Sequence, residues 1–243
     1  MSGHSHWAGI KHQKGIADAK RSKLFSRISK EISMAARSGG DIAANPRLRS
    51  VVEKAKEANM PSDNIAKAIK KGSGEEAGAQ LEEILVEAYG PSNSALIVSA
   101  ITDNKNRTIG EIKQIIAKYN GKIAEGGAVR WMFERKGVIT LNLAQSSLSK
   151  EDIELSLIEA GAEDIYWQEQ DKADAYSSPT DLDKLKISLQ EKGFAVESAT
   201  LDWVPKERLS LSRDEGKSLL ALFEALDEQD DVQDIYSNIK LQA

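Results

Sequence analysis

Lys20, Lys23, Arg27 and Lys30 recur at intervals of three, four and three residues. On a helix this spacing gathers all four within an arc of about 80°. The only acid among them is Glu31, so ion pairs along their own helix do not account for the row. The chemistry open to such a row is neutralisation of a polyanion, phosphate above all. Positive charge continues at Arg21, at Arg47, Arg49, Lys54 and Lys56, and at Lys67, Lys70 and Lys71. Upstream, Lys11 and Lys14 stand beside His4, His6 and His12. With no acid or cysteine nearby to complete a metal site, these histidines read as phosphate-facing donors of an N-terminal arm. The competing readings are a solvated arm and a solvated helix face.

A second candidate is the loop Thr102–Thr108, which joins a strand to a helix N-terminus. Free N–H groups there, with Asn104, Lys105 and Arg107, would suit an anion. Ordinary capping by Asp103, Asn104 or Asn106 explains the same residues. Catalysis finds no comparable support. Gly216-Lys217-Ser218 imitates the end of a phosphate-binding loop, but Leu211 stands where the first glycine belongs. A Ser212–Glu215 capping box accounts for that stretch. Gly126-Gly127 reads as a turn. No nucleophile–base pair follows from spacing. The chain reads as non-enzymatic, without cofactor or metal.

Charge is divided along the chain. Residues 1–74 hold 15 Lys+Arg and 6 Asp+Glu, and residues 75–243 hold 18 and 32, so balances of +9 and −14 hide within the total of −5. Contact with a polyanion should therefore be confined to one end, leaving the acidic remainder open to a protein partner. The 243 residues suit two or three domains. With no cysteine, disulfides and thiolate chemistry are excluded. No secretory signal and no apolar run of about 20 residues is present, so a cytoplasmic location without membrane contact is expected.

The elements that position these residues follow from periodicity and caps. Ile16–Arg37 reads as one amphipathic helix with Leu24, Phe25, Ile28, Ile32 and Ala35 inward. Asn45-Pro46 opens a second helix, and a third spans about Ser62–Lys71, with Gly72 as its stop. Beyond a Gly/Ala/Glu-rich linker, β-like runs appear at Ile84–Tyr89, Ala95–Ile101, Ala128–Glu134 and Val138–Leu143. A turn at Lys136-Gly137 divides the last two. Helices are expected from Thr108, from Ser149, from Thr180 and from Ser212. From Gly137 to Val204 the order is strand–helix–strand, strand–helix–strand, the ferredoxin-like split βαβ pattern. The expected fold class is multi-domain α and α+β. A three-helix domain (1–74) precedes an α/β domain (75–134 plus 206–243) interrupted by a ferredoxin-like one (135–205).

The sequence resembles the YebC/PmpR family, whose eukaryotic relative is the mitochondrial translational activator of cytochrome oxidase. The resemblance rests on Gly3-His4-Ser5-His6-Trp7, Asp18-Ala19-Lys20-Arg21, Asn45-Pro46-Arg47-Leu48-Arg49, Ala58-Asn59-Met60-Pro61 and Thr102-Asp103-Asn104-Lys105-Asn106-Arg107-Thr108, with Trp131 and Arg135-Lys136-Gly137. His6 and Gln13 stand where the family usually has basic residues. The resemblance implies a three-domain cytoplasmic regulator of gene expression that binds nucleic acid. Some members are described as binding promoter DNA, and others resemble ribosome-associated factors for proline-rich stretches. The expected partner is DNA in transcription control; ribosomal or transfer RNA in translation is the alternative. No helix-turn-helix signature is evident.

Overall fold

The computed structural model describes residues 18–76, 80–169 and 171–241. Three helices come first: α1 (Asp18–Ala36), α2 (Pro46–Glu57) and α3 (Ser62–Ser73). Asn45 shows how local sequence fixes their arrangement. Its Oδ1 accepts the Leu48 N–H at 3.0 Å, capping α2. Its Nδ2 donates to the carbonyls of Ala35 and Gly39, at 2.8 Å each, and so ties down the end of α1. The inward stripe of α1 meets α2 and α3 as expected. Ile28, Ile32, Ala35, Leu48, Val52, Ile65 and Ala68 are buried, with Leu24 and Phe25 at the rim.

Gly72 does not stop α3. The helix runs to Ser73, and Gly74 takes the left-handed position at φ +84°. Gly72 is needed for close approach instead. A Cβ there would overlap the Ser33 carbonyl and lie 2.8 Å from Ala36 Cβ on α1. Gly72→Ala is expected to cost about 2 kcal/mol through overpacking, read as a lower urea midpoint for the helical domain. An unchanged midpoint would mean that the crossing relaxes freely.

The remaining chain continues with β1 (Glu82–Tyr89), β2 (Ala95–Thr102), α4 (Lys105–Lys118) and β3 (Lys122–Ile123). Next come β4 (Phe133–Asn142), α5 (Lys150–Ala160), β5 (Asp164–Glu169), β6 (Lys172–Ser177), α6 (Leu182–Glu191) and β7 (Ala195–Pro205). The last elements are β8 (Leu209–Leu211), α7 (Arg213–Asp227), β9 (Val232–Ser237) and β10 (Ile239–Leu241).

One antiparallel sheet has the order β3-β1-β2-β9. Helices α4 and α7 cover one face of it: Ile112, Ile116, Leu222 and Phe223 bury Val86, Leu96 and Val98. The other face, with Ala95, Ile97 and Tyr236, is covered by Val129, Phe133 and Trp203. Burial on both faces explains why β2 is buried throughout and apolar except at Ser99 and Thr102. The second antiparallel sheet has the order β5-β6-β4-β7 and carries α5 and α6 on one face. Two β–α–β units sharing a four-stranded antiparallel sheet make this domain ferredoxin-like. It is inserted into the first α/β domain, whose strands come from either side of it.

Four local expectations are corrected. No turn separates the runs around Lys136-Gly137. β4 is one strand through both residues, and Gly137 pairs with Leu201 on one side and Ser177 on the other. The glycine serves close packing, since a Cβ would meet Ser177 Oγ and the Leu182 side chain. Residues 130–132 form a 3-10 turn rather than strand. Helix α6 starts after Asp181, without the side-chain cap expected from Thr180. Helix α4 begins at Lys105, three residues ahead of the expected start, because Asn104 is the cap.

Candidate nucleic-acid interface

Three members of the basic row of α1 turn toward protein rather than solvent. Lys23, Arg27 and Lys30 meet the C-terminal turn of α7 and the acidic segment after it, about 200 residues away in sequence. Arg27 NH1 donates to Asp227 Oδ1 at 2.6 Å, and NH2 donates to the Asp227 carbonyl. Side-chain exposure is 5% for Arg27 and 14% for Asp227, so this pair is nearly buried. Lys30 Nζ reaches Asp231 Oδ1 at 2.6 Å and the Asp230 carbonyl at 3.0 Å. Lys23 Nζ lies 3.2 Å from Glu228. The carbonyl end of α7 adds its own negative potential to these carboxylates.

Asp231 is the hub. Its Oδ2 accepts from Thr108 Oγ1 at 2.6 Å and from Arg107 NH2 at 3.0 Å. Its N–H donates to Gln229 Oε1 at 2.7 Å. Burial pushes the Asp231 carboxyl up, but donors from Lys30, Thr108 and Arg107 outweigh it and hold the group well below the usual carboxylate range. The Thr102–Thr108 loop therefore meets an anion that the chain itself supplies. Asn104 Oδ1 accepts the Arg107 N–H at 3.1 Å, as a cap. Arg107 also pairs with Asp103 at 2.9 Å, and Lys105 is exposed.

Other expected cations divide into two groups. Lys54 Nζ bonds both oxygens of Glu31 at 2.9 Å, across α1 and α2. Arg47 pairs with Glu83 at 3.1 Å, with both side chains exposed. Arg49 donates to the carbonyls of Ile42 and Ala43 and stays exposed. Arg21, Lys56, Lys67, Lys70 and Lys71 are exposed. Lys20 lies on the backbone of α1. His4, His6, Lys11, His12 and Lys14 lie outside the described residues.

Spacing did not point to the loop 124–132. Glu87, buried at 6% exposure, accepts N–H bonds from Gly127 at 2.7 Å, Val129 at 2.8 Å and Arg130 at 2.7 Å. Gly127 thus belongs to a turn nucleated by a carboxylate. The loop presents Trp131 at 64% exposure, its indole N–H bonded to the Ala128 carbonyl at 2.9 Å. A fixed, exposed indole is a surface on which a nucleobase can stack. Its family motif was the sole sequence signal.

Gly216 sits in α7 behind a Ser212–Glu215 capping box. Among the described residues, no group of three or more His, Asp or Glu is arranged to hold a metal ion. A cavity of about 440 Å³ lies against Leu143, Leu148, Ile153 and Trp167, where the Lys150 ammonium stands 4.8 Å from the indole centroid. No helix among the described residues is long and apolar enough to cross a membrane.

Comparison with known proteins agrees with this architecture. Residues 5–75 match the family model for the TACO1/YebC protein N-terminal domain, and residues 81–239 match that for the TACO1/YebC second and third domain. A probable transcriptional regulatory protein of Trichlorobacter lovleyi is 45% identical over 244 residues, covering 100% of this chain and 97% of its own. One of the same description from Pseudothermotoga lettingae is 46% identical over 242 residues, covering 99% and 94%. The crystal structure of a conserved hypothetical protein from Aquifex aeolicus superposes with a TM-score of 0.86 at 39% identity, covering 98% of each chain. Matched from its first helices to its last strands, the chain belongs to the TACO1/YebC family.

Proposed function

We propose that this protein is a non-catalytic regulator of gene expression, acting in the cytoplasm, which binds the phosphodiester backbone of nucleic acid through its basic helical domain. Its target on this reading is DNA, in transcription control, as the descriptions of its relatives suggest. The observation that carries the reading is the charge left over after internal pairing. Arg21, Arg49, Lys56, Lys67, Lys70 and Lys71 remain exposed on α1–α3, in the block whose balance is +9. Arg47 joins them, because an exposed ion pair is worth at most about 1 kcal/mol and yields readily to phosphate. Lys20, Lys11, Lys14 and the three histidines belong to the same basic block of the sequence.

Fluorescence anisotropy with labelled duplexes tests this. If about five phosphates are neutralised, log affinity should fall with log salt at a slope near −4.5. Arg49→Glu with Lys56→Glu should weaken binding roughly tenfold and flatten that slope. Promoter duplex should bind more tightly than shuffled duplex. Tighter binding of ribosomal or transfer RNA than of any duplex would move the target from DNA to RNA. A flat salt response would remove the phosphate contact altogether.

A further inference from the structure

The helical domain and the first α/β domain keep separate apolar cores. Ile28, Ile32, Leu48 and Val52 belong to one, and Val98, Ile116 and Phe223 to the other. Among the described residues, no buried apolar cluster includes residues of both. Charge joins them instead: Lys23 to Glu228, Arg27 to Asp227 and Lys30 to Asp231, with Arg47 to Glu83 at the edge. Polar interfaces of this kind are those along which domains move. The covering segment is chemically unusual. Asp227–Asp231 places four carboxylates in five residues, at the carbonyl end of α7. To a row of lysines and arginine it offers closely spaced, acceptor-only anions, as a phosphodiester backbone does.

We propose that Lys23, Arg27 and Lys30 form a phosphodiester-binding row that the Asp227–Asp231 segment covers as an internal competitor. Nucleic acid and the acidic segment then exclude each other on α1. The inference rests on the nucleic-acid reading above and adds its regulation. With the segment docked, the protein meets nucleic acid through the exposed cations alone. With it displaced, three further cations join the surface. Apparent affinity is lowered by the fraction of molecules that are open, so weakening the competitor tightens binding.

The full chain lends itself to the test. It contains no cysteine, so Ser22→Cys on α1 and Ser218→Cys on α7, both at exposed positions, give two unique labels for a distance measurement. The probes are a 30-mer DNA duplex and an RNA of the same sequence. Asp227→Asn with Glu228→Gln should tighten binding of the preferred probe about tenfold. Glu151→Gln with Asp183→Asn removes the same charge from the ferredoxin-like domain and should change affinity less than twofold. Saturating probe should lengthen the label distance in the chain that keeps all four acids, a readout independent of how the variants fold. Equal affinity of the two acid-depleted chains, or an unchanged distance at saturation, overturns the competitor while the nucleic-acid reading stands. No binding by any chain removes both.

Discussion

Glu87→Gln is expected to destabilise the first α/β domain by about 3 kcal/mol and to loosen the loop that carries Trp131. The carboxylate accepts three backbone N–H bonds, from Gly127 on Oε1 and from Val129 and Arg130 on Oε2. Glutamine can keep one oxygen toward Val129 and Arg130. It then turns an N–H₂ toward the Gly127 N–H, donor against donor, and the charge-assisted component is lost. Burial pushes the Glu87 carboxyl up, yet the three N–H groups outweigh it and leave the group below its ordinary value. The sign for stability follows. A depressed folded pKa contributes stability that is present above the unfolded value, near 4.3, and is lost as pH falls through the folded value. The parent chain should therefore lose loop protection in acid. The glutamine variant should lack that component and show fast amide exchange at Gly127, Val129 and Arg130 even at pH 7. Equal exchange at pH 7 in both chains would contradict the assigned role of Glu87.

Arg27→Ala should detach the helical domain while leaving both apolar cores folded. The Arg27–Asp227 pair is nearly buried and two-pointed, and removing one partner of such a pair costs about 3 kcal/mol. Detachment then limits the loss, because an undocked Asp227 regains water. X-ray scattering should show a larger radius of gyration, with helical circular dichroism unchanged. Arg27→Lys should lie between, since lysine keeps the charge without the fork. An unchanged scattering profile for the alanine variant would show that the interface does not depend on this pair. Asp231 adds a pH test of the same docking. Its carboxyl lies well below the usual range, so its contribution is full above about pH 4 and fades only as pH falls toward the depressed value. Docking should persist at pH 4 and fail in stronger acid.

Much of this architecture was legible because it is written locally. Asn45, Ser149 and Ser212 mark helix starts with side chains that accept bonds from N–H groups three residues on. The strand–helix order of the ferredoxin-like domain follows from runs of a few residues. Gly72 and Gly137 were misread because a turn and a close approach demand the same residue type. Only the Ser33 carbonyl and the Ser177 side chain, distant in sequence, distinguish them. Lys23, Arg27 and Lys30 of the cationic row share one face of α1, but the identity of the anion was not legible. Helical spacing says that charges converge. That Arg27 meets Asp227 depends on how two domains dock. The charge division thus has an internal component, with part of the −14 neutralising part of the +9.

The central claim is that nucleic acid meets the helical domain. Ultraviolet crosslinking in cells, followed by mass spectrometry of nucleotide-bearing peptides, tests it most directly. Adducts are expected on peptides from residues 1–74, with Arg49 and Lys56 within the crosslinked region. Adducts confined to the ferredoxin-like domain, residues 133–205, would contradict the account.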